Sequence, residues 1–171
     1  MRFAGVACAV LLVVDVNGVA EAGQACRPVS HAQLESLLPV LPGFGRQRPV
    51  GETDNLEAVS RTTVDYEEQA NQAAVISIEL MDSCRRPEML MQLREFLTTG
   101  APASRGTTQR SIPIRGFPGY EEWTAESQHG EVHVLVADRF MVKVTGSLVA
   151  SLAVIEGAAT AIDLQALAAL K

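Results

Sequence analysis

The sequence predicts an α+β domain in which an antiparallel sheet of about six strands is covered by helices. Three observations predict it. Apolar residues alternate at period two through Ala74–Met81 and again through Glu131–Thr145. Stretches of helical spacing stand before, between and after these runs rather than alternating with each strand. Short turn-forming groups separate the later strands, which favours a meander over parallel crossovers.

The elements follow in order. Ser30 with Gln33 forms a capping box, and Leu34, Leu37, Leu38 and Leu41 recur at helical spacing until Pro39 and Pro42-Gly43 end the helix. Residues 43–54 read as irregular, with a short strand around Arg46–Val50. A strand is then predicted with Leu56, Ala58, Val64 and Tyr66 on one face and Glu57, Arg61 and Asp65 on the other. In the next, Ala74, Ile76, Ile78 and Leu80 alternate with Val75, Ser77, Glu79 and Met81, and its β-branched content suits a central position.

Pro87 fits the first turn of a second helix, with Met89, Leu90, Leu93, Phe96 and Leu97 as its apolar stripe and Gly100 as its end. After a polar loop at 101–108, four strands are expected: Gln109–Arg115, Gly119–Ala125, Glu131–Ala137 and Phe140–Thr145. Pro113 cannot donate to a ladder, so the first belongs at an edge or beside a bulge. Turns fall at Gly116-Phe117-Pro118-Gly119, His129-Gly130 and Asp138-Arg139. In the final alanine-rich region Gly157 is expected to break the helix. Asp163 restarts it as an N-cap, and Leu164, Leu167 and Leu170 dock it.

The N-terminus carries an address. Arg2 precedes an apolar run from Phe3 to Val14, Asp15 ends the run, and Ala20-Glu21-Ala22 supplies the small-x-small pattern of a signal-peptidase site. A spanning helix needs about 20 apolar residues, so residues 1–22 read as a cleaved signal and 23–171 as a single domain without a transmembrane anchor. The expected location is periplasmic or secreted. Cys26 lacks the apolar residue three positions before it that lipidation requires. Cleavage removes Cys8 and leaves Cys26 and Cys84, an even pair expected to form a disulfide in an oxidising compartment.

The order of elements is similar to that of the PsbP-like group of small exported domains. Leu41-Pro42-Gly43-Phe44 entering the sheet, the helix after Leu80 and the long hairpin Glu131–Thr145 before the final helix carry the resemblance. It implies an antiparallel sheet covered by helices; no functional residue carries over from it.

Chemistry is sparse. The chain has 14 Lys+Arg against 20 Asp+Glu, and an acidic domain offers no electrostatic footprint for nucleic acid or anionic lipid. His129, Glu131 and His133 would project from one face of an extended segment, residue types sufficient for zinc or copper. Against a metal, Val132, Val134 and Val136 make the buried face, and Gly130 would put His129 in a turn. Phe117, Tyr120 and Trp123, near a glycine-rich hairpin tip, are the candidates for a recognition surface. Tyr120 and Trp123 differ by an odd number and must face opposite sides. The adjacent acids Glu121-Glu122 point apart and read as solvated. With no Gly-x-Ser-x-Gly elbow or phosphate-cradling loop, no catalytic residue and no cofactor is expected. The expected function is non-catalytic binding of a partner protein or envelope component, as an accessory subunit of a larger assembly would do. A periplasmic carrier of a small apolar ligand is the alternative, and a hydrolase is less favoured.

Overall fold

β-branched side chains packed at period two build the centre of this molecule. Val75–Asp82 (β4) and Phe140–Ser147 (β8) pair antiparallel over their full lengths, from Val75 opposite Ser147 to Asp82 opposite Phe140. The computed structural model describes residues 26–84, 86–100 and 106–171. The predicted signal segment, residues 1–22, lies outside them, as does most of the predicted loop at 101–108.

Twelve elements are described. They run α1 (His31–Glu35), β1 (Phe44–Arg46), β2 (Val50–Asp54), β3 (Val59–Glu68), β4, α2 (Pro87–Thr99), β5 (Thr107–Ile114), β6 (Phe117–Thr124), β7 (His129–Val136), β8, α3 (Leu152–Ala161) and α4 (Leu164–Ala169). All strand pairs are antiparallel, in the order β1-β3-β4-β8-β7-β6-β5, with β2 also on β3. The α+β class and the meander β5–β8 are as predicted, but the sheet has eight strands rather than six. The difference lies in the stretch read as irregular with one short strand around Arg46–Val50: residues 47–49 are not strand, and β1 and β2 on either side of them lie in tandem along one edge of β3. Nearly all of β2 is exposed, so no apolar alternation marks it.

One face of the sheet holds the main core. Val64, Tyr66, Ile76, Ile78, Leu80, Val132, Val134, Val142 and Val144 meet Leu34 of α1, Ile155 of α3 and Leu164 and Leu167 of α4. Tyr66 is fully buried and its hydroxyl donates to Pro39 O at 2.6 Å, so the phenol keeps a partner when it leaves water. A smaller cluster on the opposite face seats α2 through Leu90 and Leu93 against Met81, Tyr120 and Leu135.

Several expectations shift by a residue or an element. The capping box at Ser30 and Gln33 forms, but α1 ends at Glu35; Leu38 and Leu41 reach the core from outside the helix. Leu56 and Ala58 are not on β3. They sit in the preceding turn, Leu56 is 96% exposed, and Ala58 has φ +54°. The inward residues are Ser60 and Thr62, whose hydroxyls donate to Glu52 O and Val50 O on β2. The β5–β6 turn is Arg115-Gly116, both at positive φ, as a two-residue type I′ hairpin demands. Phe117, Pro118 and Gly119 are therefore strand residues.

Gly157 does not break the last helix; α3 runs through it. The break is at Ile162, whose extended backbone (ψ 135°) drops its side chain into the core. Asp163 then caps α4 by accepting from Ala166 N–H at 3.0 Å.

Gly130 and Gly146 face each other across β7 and β8, beneath Ile155. A Cβ on Gly146 would lie 2.6 Å from Ile155 Cδ1, and one on Gly130 would lie 2.5 Å from Glu122 O and 2.8 Å from Trp123 Cε3. The neighbours of Gly146 are side chains, Ile155 and Val149, which must shift, whereas the Glu122 carbonyl belongs to the ladder. Gly130→Ala is thus expected to lower stability by about 1–3 kcal/mol, and Gly146→Ala by less; urea midpoints of the two variants measure the order.

Candidate functional site

Period two sends the odd-numbered residues of β4, β7 and β8 and the even-numbered residues of β6 to the face opposite the main core. Among the described residues only α2 covers this face, and only at one end. Beyond Met81, Met141 and Leu135 under α2, the face forms three cross-strand rows, the first still reached by α2 at Tyr120. Thr63, Glu79, Lys143, His133, Tyr120 and Ser111 make the row nearest α2. Asp65, Ser77, Thr145, Glu131, Glu122 and Gln109 make the middle row. Glu67, Val75, Ser147, His129, Thr124 and Thr107 make the last. Five carboxylates stand there against the ammonium of Lys143.

Glu131 is the hub. His133 Nε2 lies 2.8 Å and Lys143 Nζ 2.9 Å from Glu131 Oε2. His129 Nε2 is 3.9 Å from Oε1, and its Nδ1 is 3.3 Å from Ser147 Oγ. The period-two spacing thus brings His129, Glu131 and His133 together as predicted. His129 is the first residue of β7, paired with Thr124 and Ser147, and not a turn residue. Among the described residues, however, no group of three or more His, Cys, Asp or Glu is arranged to hold a metal ion. A cation at Glu131 would also meet the ammonium that already neutralises it. Nor do Ser147, His129 and Glu131 form a proton relay, because 3.9 Å is beyond hydrogen-bond reach.

The hydrogen bond from His133, with Lys143 beside it, holds the Glu131 carboxyl down at about 2 despite partial burial. A folded value below the unfolded one means that these interactions stabilise the fold at pH above the ordinary carboxylate range, near 4.5. They are lost as pH falls through about 2. Glu131→Gln is expected to lower stability at pH 7 by about 1–3 kcal/mol. The gap should close as acid protonates the wild-type carboxylate, which thermal melts at pH 7, 4 and 2.5 follow.

The aromatic candidates do not share a surface. Tyr120 is buried on the α2 side, 5.4 Å from the Phe96 ring, and donates to Glu122 Oε2 at 2.9 Å. Burial and then Glu122 raise its phenol well above the usual range. Phe117 and Trp123 are half-buried against the main core on the other side. The odd spacing between Tyr120 and Trp123 indeed separates them.

Two clusters escaped sequence reasoning. Glu121, expected to be solvated, is 1% exposed beneath α3, paired with Arg110, which also reaches Glu156 at 3.1 Å. Burial and the nearby Glu156 push the Glu121 carboxyl up, against the opposing pull of Arg110. Asp82, fully buried, makes a two-pronged ion pair with Arg139, at 2.8 Å to Nε and 2.7 Å to Nη2. Beside it lies the Cys26–Cys84 disulfide, with its Cα atoms 5.6 Å apart. Among the described residues no helix is long and apolar enough to cross a membrane. Comparison with family models, curated proteins and solved structures finds no match to this chain.

Proposed function

We propose that this is an exported, non-catalytic domain of PsbP-like layout whose open sheet face docks a basic segment of a partner protein in the cell envelope. The carrying observation is the set of three rows on this face, which α2 covers only at Tyr120, and in which Asp65, Glu67, Glu79, Glu122 and Glu131 face a single ammonium. Such a surface favours a partner rich in lysine or arginine by electrostatic complementarity, which acts mainly on encounter rate and on specificity. The disulfide supports residence in an oxidising compartment. The carrier reading draws no comparable support, because the layer between sheet and helices is occupied by Tyr66, Phe140, Ile76, Ile78 and Ile155, all nearly fully buried.

The test is photo-crosslinking in the native envelope. A crosslinking residue at Ser77, in the middle row, is expected to trap a protein with an exposed basic segment, and Asp65→Lys with Glu122→Lys should abolish the trapping. Equal trapping from exposed Thr160, on α3 of the covered side, would refute the reading.

A further inference from the structure

We propose that the buried Asp82–Arg139 pair is a template for the Cys26–Cys84 bridge. It docks the N-terminal strap, residues 26–29, before oxidation, and the disulfide then locks a strap already in place.

The geometry that carries this is the sharing of one carboxylate among groups flanking both cysteines. Asp82 Oδ1 accepts from Cys84 N–H at 2.8 Å and from Arg139 Nε at 2.8 Å. Asp82 Oδ2 accepts from Val29 N–H at 2.8 Å and from Arg139 Nη2 at 2.7 Å. The same Nη2 donates to Arg27 O at 3.2 Å. Residues 27 and 29 on one side and residue 84 on the other are therefore held by one ion pair. The pair is itself fixed from below: Ser83 N–H and Oγ both donate to Arg139 O, at 3.1 and 2.7 Å. The Arg139 guanidinium lies 4.8 Å from the Phe140 ring centroid.

None of these contacts requires the disulfide. Without the strap, Oδ2 of a fully buried carboxylate would lose a donor, which the interior penalises. Cys84 sits at φ +46°, an unfavourable conformation for a residue with a Cβ, and the Asp82 bond to its N–H holds it there. The long loop between the cysteines, a separation of 58 residues, is thus already closed through Val29 and Asp82. Joining the sulfurs closes only a small remaining ring.

The oxidant is a disulfide, for which oxidised glutathione serves. The thiolate of Cys26, the more exposed of the two, attacks one glutathione sulfur; that S–S bond breaks and a glutathione thiolate leaves. The Cys84 thiolate then attacks Cys26 Sγ in the mixed disulfide and releases the second glutathione. Two electrons pass from the protein dithiol to the oxidant, and the two thiol protons end on the two glutathiones.

Two measurements test the template. In glutathione redox buffers under native conditions, Asp82→Asn is expected to lower the effective concentration of the cysteine pair by about tenfold or more; a value equal to wild type in a folded variant overturns the proposal. In Cys26→Ser/Cys84→Ser protein, the Val29 amide is expected to remain protected from hydrogen exchange. Exchange at the rate of an unstructured chain would show that the bridge holds the strap, and would overturn it too. Should Asp82→Asn fail to fold, the second measurement decides alone.

Discussion

Replacing Arg139 by alanine is expected to destabilise the protein by about 3–5 kcal/mol, because it strands a buried carboxylate. Asp82 is fully buried and takes four donors, two of them from Arg139. The two backbone donors that would remain, Val29 N–H and Cys84 N–H, offset only part of the charge. The substitution also frees Arg27 O and removes the guanidinium from above the Phe140 ring. The expected signature is not simply a low midpoint. Asp82→Leu combined with Arg139→Met removes both charges and is expected to be less destabilised than Arg139→Ala, since the unpaired Val29 and Cys84 N–H groups it leaves cost less than an unpaired buried carboxylate. Urea unfolding of the single and double variants measures this. A double variant as unstable as the sum of its singles would mean that the pair does not act as a unit.

What the sequence shows of this fold follows from which residues choose their own surroundings. Ile76, Ile78 and Leu80, like Val132, Val134 and Val136, leave water wherever a sheet lets them, so their alternation marks both the strand and its buried face. The capping box at Ser30 and the N-cap at Asp163 are equally local, and both form. Ser60 and Thr62 are the reverse case. They face inward because β2 supplies acceptors for their hydroxyls, and β2 itself is too exposed to leave an apolar pattern. Leu56, apolar and almost wholly exposed, then drew the predicted strand three residues too far toward the N-terminus. Gly157 has open space at its missing Cβ and stays helical because the residues around it pack.

The candidate site was legible to the same depth. Period two alone places His129, Glu131 and His133 on one face, and it separates Tyr120 from Trp123. It is silent on what stands opposite. Lys143 reaches Glu131 from the neighbouring strand, and its register is set by the whole β7–β8 hairpin. Arg110 and Glu156 meet around Glu121 from β5 and α3, and Asp82 meets Arg139 across a separation of 57 residues. A lone charged residue in a strand or turn reads as solvated until its partner is known. For that reason the most deeply buried charges here were the least visible.

Removing the bridge is expected to have the other large effect, and to act through the unfolded chain. For a loop of 58 residues, the chain-entropy model gives about 4 kcal/mol of stabilisation. Cys26→Ser/Cys84→Ser protein should therefore unfold at lower urea by that margin. Because Asp82 and Arg139 grip Val29, Cys84 and Arg27 independently of the sulfurs, its native near-ultraviolet dichroism should keep the aromatic bands of the oxidised protein and lose only the contribution of the disulfide itself. A freed unfolded chain is also more expanded, so the urea m-value should rise while the folded aromatic bands stay the same. The two large effects then separate by where they act: Arg139→Ala raises the free energy of the folded state, whereas loss of the bridge lowers that of the unfolded one. Unfolding rates distinguish them. Arg139→Ala should speed unfolding, while the double-serine variant should lose stability chiefly through slower folding, since its docked native state is nearly unchanged. If the double-serine variant instead unfolds faster with altered aromatic bands in the near-ultraviolet, the bridge holds the strap in the native state, and the ion pair beside it is not sufficient to do so.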